Sequence, residues 1–446
     1  MADIEDTKSK LELESESESP IFPKLESLES PSCPVELNSD DEFAERPAPP
    51  FIYKKHPRPK YRICLNMIVK NESKVIERLI NTVKDMIDYY IISDTGSTDD
   101  TIAKIKRTMK RHNIPGEVHQ DPWKNFGYNR QRALEYVYKN PNCKYAMIID
   151  ADEQLKIGNK LSTLKKFKRD YSTKYDDHCY HIKRKYMNNE YYLPFLLDTT
   201  RIVWHWKGPV HNYIDIKEYY GIANHVHIDD NLIYIHVNYH EGAKSAGVSS
   251  HEKYMRDVKL LTEELSENPN DTRSWFYLAQ SYYDAKEYEE ALDAYTKRAD
   301  MGGWNEEVYY SLYRVGCCKI LLDAPYDEIL YSLLHAYEFY PERAEALYEL
   351  CKYCREKKLY NQGYLFGKMA MNLVPQKKFL FIHRQIYDYA LADQFALCAY
   401  YTGRYQESKD VIMKILKSQK YPEGYDERLK VNLKFALNKL IETTKN

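Results

Sequence analysis

The stretch Tyr145-Ala146-Met147-Ile148-Ile149 is apolar throughout and runs without a break into Asp150-Ala151-Asp152-Glu153. A fully apolar run of this length reads as a central strand covered on both faces, so helices are expected on both sides of a sheet. Three acids at the mouth of such a strand are costly unless a cation offsets them. In open α/β sheets ligands gather at the carboxyl ends of strands. Hard carboxylate oxygens in an Asp-x-Asp spacing suit Mg2+ or Mn2+, with a phosphate-bearing ligand completing the octahedron. The plainer alternative is a capped turn, with Asp152 as N-cap of a short helix.

Two segments upstream repeat the pattern. Tyr61 to Val69 reads as a first buried strand, followed by Lys70-Asn71-Glu72-Ser73 and a helical stretch from Val75 to Met86 with Ile76, Leu79, Ile80 and Val83 on one face. Tyr89 to Ser93 gives a second strand, ending in Asp94-Thr95-Gly96-Ser97-Thr98-Asp99-Asp100-Thr101. Gly96 supplies a tight turn there, and Ser97 or Thr98 is expected to cap the next helix, with Asp99 and Asp100 in its first turn. Three strand ends carrying polar clusters in one βαβαβ progression are how a doubly wound nucleotide site is built.

These phrases resemble the family 2 glycosyltransferases of the GT-A fold. Cys64 to Glu72 is similar to that family's opening strand and loop, Asp94 to Asp99 to its second-strand motif, and Asp150-Ala151-Asp152-Glu153 to its Asp-x-Asp metal motif. Trp123 to Arg130 resembles the segment before the metal strand. The resemblance implies that Asp94 binds the base or ribose, Asp150 the ribose and Asp152 the Mn2+ or Mg2+, with Asn71, Glu72 and Arg130 also on the donor side. The physical case agrees: glycosyl-phosphate cleavage builds negative charge on a leaving diphosphate, which a cation and a planar guanidinium stabilise. For Arg130 the alternative is a surface ion pair with Glu135.

Composition sets the boundaries. The chain has 446 residues, 43% hydrophobic and 30% charged, enough for two domains with cores of their own. Residues 1 to 45 hold 14 acids against three lysines, so residues 1–59 read as an acidic disordered arm. The whole chain sums to −2, which leaves the remainder at about +9 and favours anionic ligands. No Lys/Arg stripe interleaved with aromatics points to nucleic acid. No apolar run reaches the roughly 18 residues of a membrane span, and the amino terminus lacks a basic-apolar signal, so a cytoplasmic protein is expected. Nine scattered cysteines fit reduced thiols, and Cys351-x-x-Cys354 reads as helix packing rather than zinc.

From Tyr180 to Gly247 strand-like stretches (His178 to Tyr186, Arg201 to Trp206, Leu232 to Val237) alternate with polar loops. His205, His211, His225, His227, His236 and His240 crowd this region, but their spacing argues against a dedicated zinc cage. Gly208-Pro209-Val210-His211 resembles the family's acceptor-side Gly-x-x-His segment, where a His-Glu pair supplies a metal ligand and an acid-base group. His211 is thereby a second expected metal ligand. Asn212 stands where glutamate is expected, and an amide cannot take the acceptor's proton. Asp215, Glu241 or Glu153 can substitute, and the choice stays open. Trp204 and Trp206 are candidates to stack on the acceptor side.

The carboxyl-terminal half repeats. Aligning the 34-residue tetratricopeptide pattern at 272 places Trp275, Leu278, Ala279, Tyr282, Tyr288, Ala291 and Tyr295 on packing positions. A second copy near 344 gives Leu347, Leu350, Cys351, Cys354, Tyr360 and Ala370, and a third near 389 gives Phe395, Ala396, Ala399, Tyr405, Ile412 and Ile415. A divergent pair spans Val308 to Leu322 and Tyr326 to Phe339. Such pairs bury their apolar faces only by stacking, and the resulting solenoid can serve as a protein-partner platform. Phe276 to Tyr282 and Met301 to Val308 also resemble a subgroup of the same transferases with these repeats.

The expected architecture is therefore an α/β GT-A (Rossmann-like) domain over 60–245, followed by an all-α tetratricopeptide-type solenoid over 251–446. The expected activity is metal-dependent transfer, with inversion, of a sugar from a nucleotide-diphosphate donor to an acceptor hydroxyl on a glycan or protein. The competing reading is a scaffold whose transferase domain binds nucleotide without turnover. A nucleotidyltransferase ranks last, because no Gly-rich loop follows the first strand.

Overall fold

The computed structural model describes residues 61–140, 142–174, 177–186, 189–218, 223–238, 249–376 and 381–445. The acidic arm and the candidate base Glu241 lie outside them. The α/β part runs β1 (Tyr61–Val69), α1 (Ile76–Val83), β2 (Tyr89–Asp94), α2 (Thr101–Arg111), β3 (Gly116–Gln120), α3 (Phe126–Lys139), β4 (Cys143–Ile148), β5 (Gln154–Ile157), α4 (Leu164–Lys174), β6 (Cys179–Tyr186), β7 (Asn189–Asp198), β8 (Val203–Lys207), β9 (Tyr213–Glu218), β10 (His225–His227) and β11 (Ile233–His236).

The main sheet has the order β3-β2-β1-β4-β7-β6-β11-β5, with β10 also on β6 and β8–β9 a separate hairpin. β3, β2, β1 and β4 are parallel, and β7 returns antiparallel to β4. The chain leaves β1 outward through β2 and β3, then comes back to β4 on its other side. The strand order therefore reverses between β1 and β4, which is where an open α/β sheet forms a crevice.

Alternation along β1 sends Ile63, Leu65 and Met67 to one face, where Ile76, Leu79, Ile80 and Val83 of α1 cover them. Cys64, Ala146 and Ile148 face the other way, against Leu134 and Val137 of α3. Each such side chain contributes about 1.5–3 kcal/mol on burial, so the acids that follow are held on a stiff platform. The alternative of a capped helix after Asp152 is not realised, since β5 follows instead. The second-strand loop also differs from expectation: α2 begins at Thr101, and Asp99 Oδ1, rather than Ser97 or Thr98, accepts the Thr101 amide at 3.0 Å.

Helices fill the rest: α5 (Ser250–Glu267), α6 (Thr272–Ala285), α7 (Tyr288–Asp300), α8 (Asn305–Leu321), α9 (Tyr326–Phe339), α10 (Glu345–Glu356), α11 (Tyr360–Ala370), α12 (Leu391–Tyr401) after a π-helical turn (Ile386–Ala390), α13 (Tyr405–Ser418) and α14 (Tyr425–Lys445). A capping box starts α5, with Ser249 Oγ accepting the Glu252 amide at 3.2 Å and Glu252 Oε2 accepting the Ser249 amide at 3.1 Å. Ala279, Ala291 and Tyr295, then Leu347, Leu350 and Cys351, then Phe395, Ala396 and Ile412 are buried at equivalent places, forming a tetratricopeptide-type solenoid. A tyrosine opens α7, α9, α11 and α13, and each packs on a tyrosine near the end of a neighbouring helix: Tyr283, Tyr353, Tyr401 and Tyr400 respectively.

Candidate active site

The loops after β1 and β2 are tied together at the crevice. Asn71 adopts φ 56°, its amide donates to Ser97 Oγ at 2.9 Å, and its Oδ1 accepts the Thr98 amide at 2.7 Å. Asn71 thus shapes the loop with its own side chain. Asp94 is fully buried at the end of β2. Its Oδ1 accepts the amides of Gly96 (3.0 Å) and Ser97 (2.9 Å), and Gly96 makes that turn at φ 102°. Asp94 Oδ2 is buried with no partner among the described residues.

On the other side of the crevice Arg130, from α3, donates from Nη2 to Asp150 Oδ1 at 2.5 Å. Glu135 pairs instead with Arg132, so the surface pairing considered for Arg130 does not form. Burial alone would raise the Asp150 carboxyl, but Arg130 and Arg184 reverse this and hold it below the usual range. Arg130 also lies over the Trp206 ring, 5.2 Å from its centroid. Its position follows from the start of α3: Asn125 caps the helix by accepting the Tyr128 amide at 2.8 Å, and the Phe126 amide donates to Pro209 O at 3.0 Å. A Cβ on Gly127 would stand 2.4 Å from Gly208 O, so only glycine lets these two backbones meet.

Asp152 sits beyond Asp150, and its carboxyl is pushed up to about 7 by desolvation and by the charges of Asp150, Glu153 and Glu72. A carboxyl raised by desolvation and by neighbouring acids is a place where a hard divalent cation fits, so the donor types suit Mn2+ or Mg2+. Among the described residues no group of three close donors includes Asp152 or His211. His211, at φ 46°, instead stacks on Tyr277 of α6, with ring centroids 4.1 Å apart and 7° between planes.

Of the candidate bases, Glu153 and Asp215 are both ion-paired. Glu153 is buried, its Oε1 accepts from Arg184 Nε at 2.7 Å, and its Oε2 accepts the Asp150 amide at 2.9 Å. Asp215 accepts from Lys207 Nζ at 2.8 Å, and that bond first, with the Ile216 amide and the Lys207 charge, holds its carboxyl below the usual range despite desolvation. Trp204 also departs from expectation: it is 1% exposed and its indole N–H donates to Asp198 O at 2.9 Å, which leaves no face for a sugar. Trp206 is nearly as buried, but its Nε1 has no partner among the described residues. Asn212 is half-buried in the loop before β9.

Sequence reasoning does not single out Arg184. It lies within the basic run Lys183-Arg184-Lys185 of β6, and a cation inside a strand of the sheet that carries the acidic motif is the signal by which it could have been found. Its Nη1, like Arg130 Nε, Trp206 Nε1 and Asp94 Oδ2, is buried with no partner among the described residues.

A cavity of about 670 Å3 opens next to Trp206, between the α/β part and the first solenoid helices. Lys124, Tyr128, Trp206, Tyr213, Arg273 and Tyr277 are among its lining. Arg273 of α6 lies 4.6 Å from the Tyr213 ring centroid and 5.0 Å from that of Tyr277. Below it Val210 and Phe126 pack on Val258, Leu261, Leu265 and Leu278, which seals α5 and α6 against the α/β part.

A doubly wound sheet with acid-tipped strands at its switch point, joined to a helical-repeat solenoid, defines the class: a GT-A-type transferase domain with tetratricopeptide-type repeats. Residues 64–227 match the family model "Glycosyl transferase family 2", so this part of the chain carries a family 2 glycosyltransferase domain. The chain is similar to the SPbeta prophage-derived glycosyltransferase SunS of Bacillus subtilis (strain 168), 28% identical over 263 residues, which cover 58% of each chain. An uncharacterized glycosyltransferase of Rickettsia felis is 36% identical over 95 residues, 21% of this chain and 30% of its own. The chain thus spans little more than half the length of the first of these relatives. Among solved structures, a crystal structure of MamA protein aligns with TM-score 0.31 and 14% identity, over 38% of this chain and 84% of that one.

Proposed function

We propose that the chain is a glycosyltransferase that moves a sugar from a nucleotide-diphosphate donor to an acceptor hydroxyl. The observation that carries this reading is the set of carboxylates at the strand ends of the sheet's switch point, Asp94 at the end of β2 and Asp150 and Asp152 after β4, with Arg130 and Arg184 holding Asp150 ionised beside them. Asp94 accepts from the nucleoside. Asp150, fixed by Arg130 and by Glu153 through its amide, holds the ribose. Arg130 and Arg184 offer N–H donors to the diphosphate, where charge builds as the bond breaks. A divalent cation on Asp152, when bound, neutralises the same developing charge.

The acceptor oxygen attacks the anomeric carbon, that carbon's bond to phosphate oxygen breaks, and the diphosphate leaves with the electron pair. The acceptor's proton goes to a base other than Glu153 or Asp215, whose charges are committed to Arg184 and Lys207. One direct displacement inverts the anomeric centre. The acceptor enters through the cavity between Trp206, Tyr213 and Tyr277, so the solenoid forms one wall of its site. Eight cysteines among the described residues are free and buried, which suits the reducing cytoplasm. Among those residues no helix is long and apolar enough to cross a membrane.

The ion pairing of Glu153 and Asp215, two of the three candidate bases, favours a second reading, a scaffold that binds nucleotide without turnover. A panel of nucleotide-diphosphate sugars with Mn2+ separates the two. Donor hydrolysis or transfer that Asp152→Asn abolishes supports the enzyme. Tight binding with no turnover against a broad glycan and peptide acceptor panel supports the scaffold.

A further inference from the structure

The histidine-rich stretch looks unpromising as a metal site in sequence, because Cys179 and His181 lie more than 40 residues from His225 and His227. The sheet removes that distance. β10 pairs parallel with β6 in the register His225 to Cys179 and His227 to His181, so these four side chains form a two-by-two block on one face. Tyr180 and Val226, between them, turn to the opposite face and join the other core. Within the block, the ligand atoms of Cys179, His181 and His225 all lie within 4.8 Å of one another. This is the one such group of three among the described residues. His181 Nε2 stands 3.0 Å from His225 Nδ1.

The geometry points to a zinc-class metal site made by Cys179, His181 and His225, with water in the fourth position. A tetrahedral zinc with bonds of about 2.0–2.3 Å separates its ligand atoms by roughly 3.3–3.8 Å. The three atoms lie within 4.8 Å of one another, and a few tenths of an ångström of opening between the two rings, with the Cys179 sulfur drawn in, admits the ion. The donor types decide the metal class, since one sulfur and two imidazole nitrogens suit Zn2+ and not the hard cations that carboxylates select. Burial is graded in a way that allows entry: Cys179 is buried, His181 half-buried and His225 exposed. Binding releases the Cys179 proton to solvent, leaving a thiolate on the metal. His227 stands outside this group of three, its ring stacked on Tyr192 with centroids 4.3 Å apart and 10° between planes.

The site is separate from the acid crevice. Cys179 is level with Leu197 of β7, whereas Arg184, which meets Glu153, is level with Tyr191 further along β6. Its consequence is structural: β10 has only three residues, and a metal shared with β6 adds a second tie to their backbone pairing. Because the ion binds only the folded arrangement, it raises stability by mass action.

The test uses the full chain, purified without chelator and dialysed, with metal content measured by plasma mass spectrometry and Co2+ used as a spectroscopic probe. One zinc per chain and a thiolate-to-cobalt charge-transfer band are expected, with a fall in Tm on chelation. His225→Gln, at an exposed position that leaves folding intact, is expected to weaken zinc binding at least ~10-fold, because even an outer partner of a ligand is worth 10–100-fold. Cys179→Ser is expected to abolish the charge-transfer band, while His227→Gln and Asp152→Asn keep the zinc. The absence of stoichiometric zinc from the wild type at micromolar Zn2+, or zinc binding by His225→Gln equal to wild type, overturns the site. So does loss of zinc in His227→Gln alone.

Discussion

Asp152 is the residue on which charge weighs most. Its carboxyl is pushed up to about 7 by desolvation and then by Asp150, Glu153 and Glu72, whereas in the unfolded chain it returns to about 4. Between those limits the folded state keeps a proton that the unfolded state has lost, so metal-free stability falls as pH rises from about 4 to about 7. Asp152→Asn removes this loss. In chelator, the variant is expected to exceed wild type in urea stability at pH 8 by a few kcal/mol at most, a tenfold change in proton affinity being worth about 1.4 kcal/mol, and to match it near pH 4. Equal stability of the two proteins at pH 8 would contradict the clustering of acids. The acid motif is legible in sequence because a strand that is apolar on both faces makes the carboxylates after it conspicuous. What each neighbour does with its charge is not: Glu153 and Asp215 look like free bases until Arg184 and Lys207 arrive from other strands. Trp204 and Trp206 look alike as well, and only the packing shows that one of them satisfies its N–H and the other does not.

At the level of elements, the first strands, α1 and the helix pairs follow from periodicity, which survives in sequence because each element keeps one face toward a core. β3, β5, β7, β9 and β10 are not anticipated by it, so the acid motif follows the fourth strand rather than the third of an unbroken βαβαβ run. The solenoid also hides buried charge between its repeats. Arg343, between α9 and α10, is fully buried; it donates to Glu306 Oε2 and Glu345 Oε1, both at 2.8 Å, and Tyr387 donates to Glu345 at 2.8 Å. Removing one partner of such a pair strands the others without solvent, at a cost of about 3–5 kcal/mol. Arg343→Met is therefore expected to lower the Tm of the solenoid by roughly 10 °C, followed by circular dichroism at the helix band. A change of a degree or two would mean that the network contributes little beyond packing. No repeat pattern announces this network, because Glu306, Arg343 and Glu345 belong to different helices and loops.

Across the whole molecule, the two halves meet at a cavity that neither builds alone, with Trp206 and Tyr213 on one side and Arg273 and Tyr277 on the other. An α/β region and a helical-repeat region are legible in the sequence; their shared wall is not, because it depends on Val210 and Phe126 docking on α5 and α6. If that cavity admits the acceptor, Tyr277→Ala raises the acceptor KM about tenfold or more, and leaves donor hydrolysis in the absence of acceptor near wild type. An equal fall in both rates would place Tyr277 in support of the fold rather than in recognition. The claim beneath all of this is that Asp94, Asp150 and Asp152 converge on a cation and a nucleoside diphosphate. Calorimetric titration of UDP and GDP into the full chain, with Mn2+ and with chelator, tests it most directly. The expected result is binding of one of the two that tightens at least tenfold with Mn2+, with that gain lost in Asp152→Asn. Binding that is indifferent to the metal, or a metal-dependent gain that persists in Asp152→Asn, would contradict it.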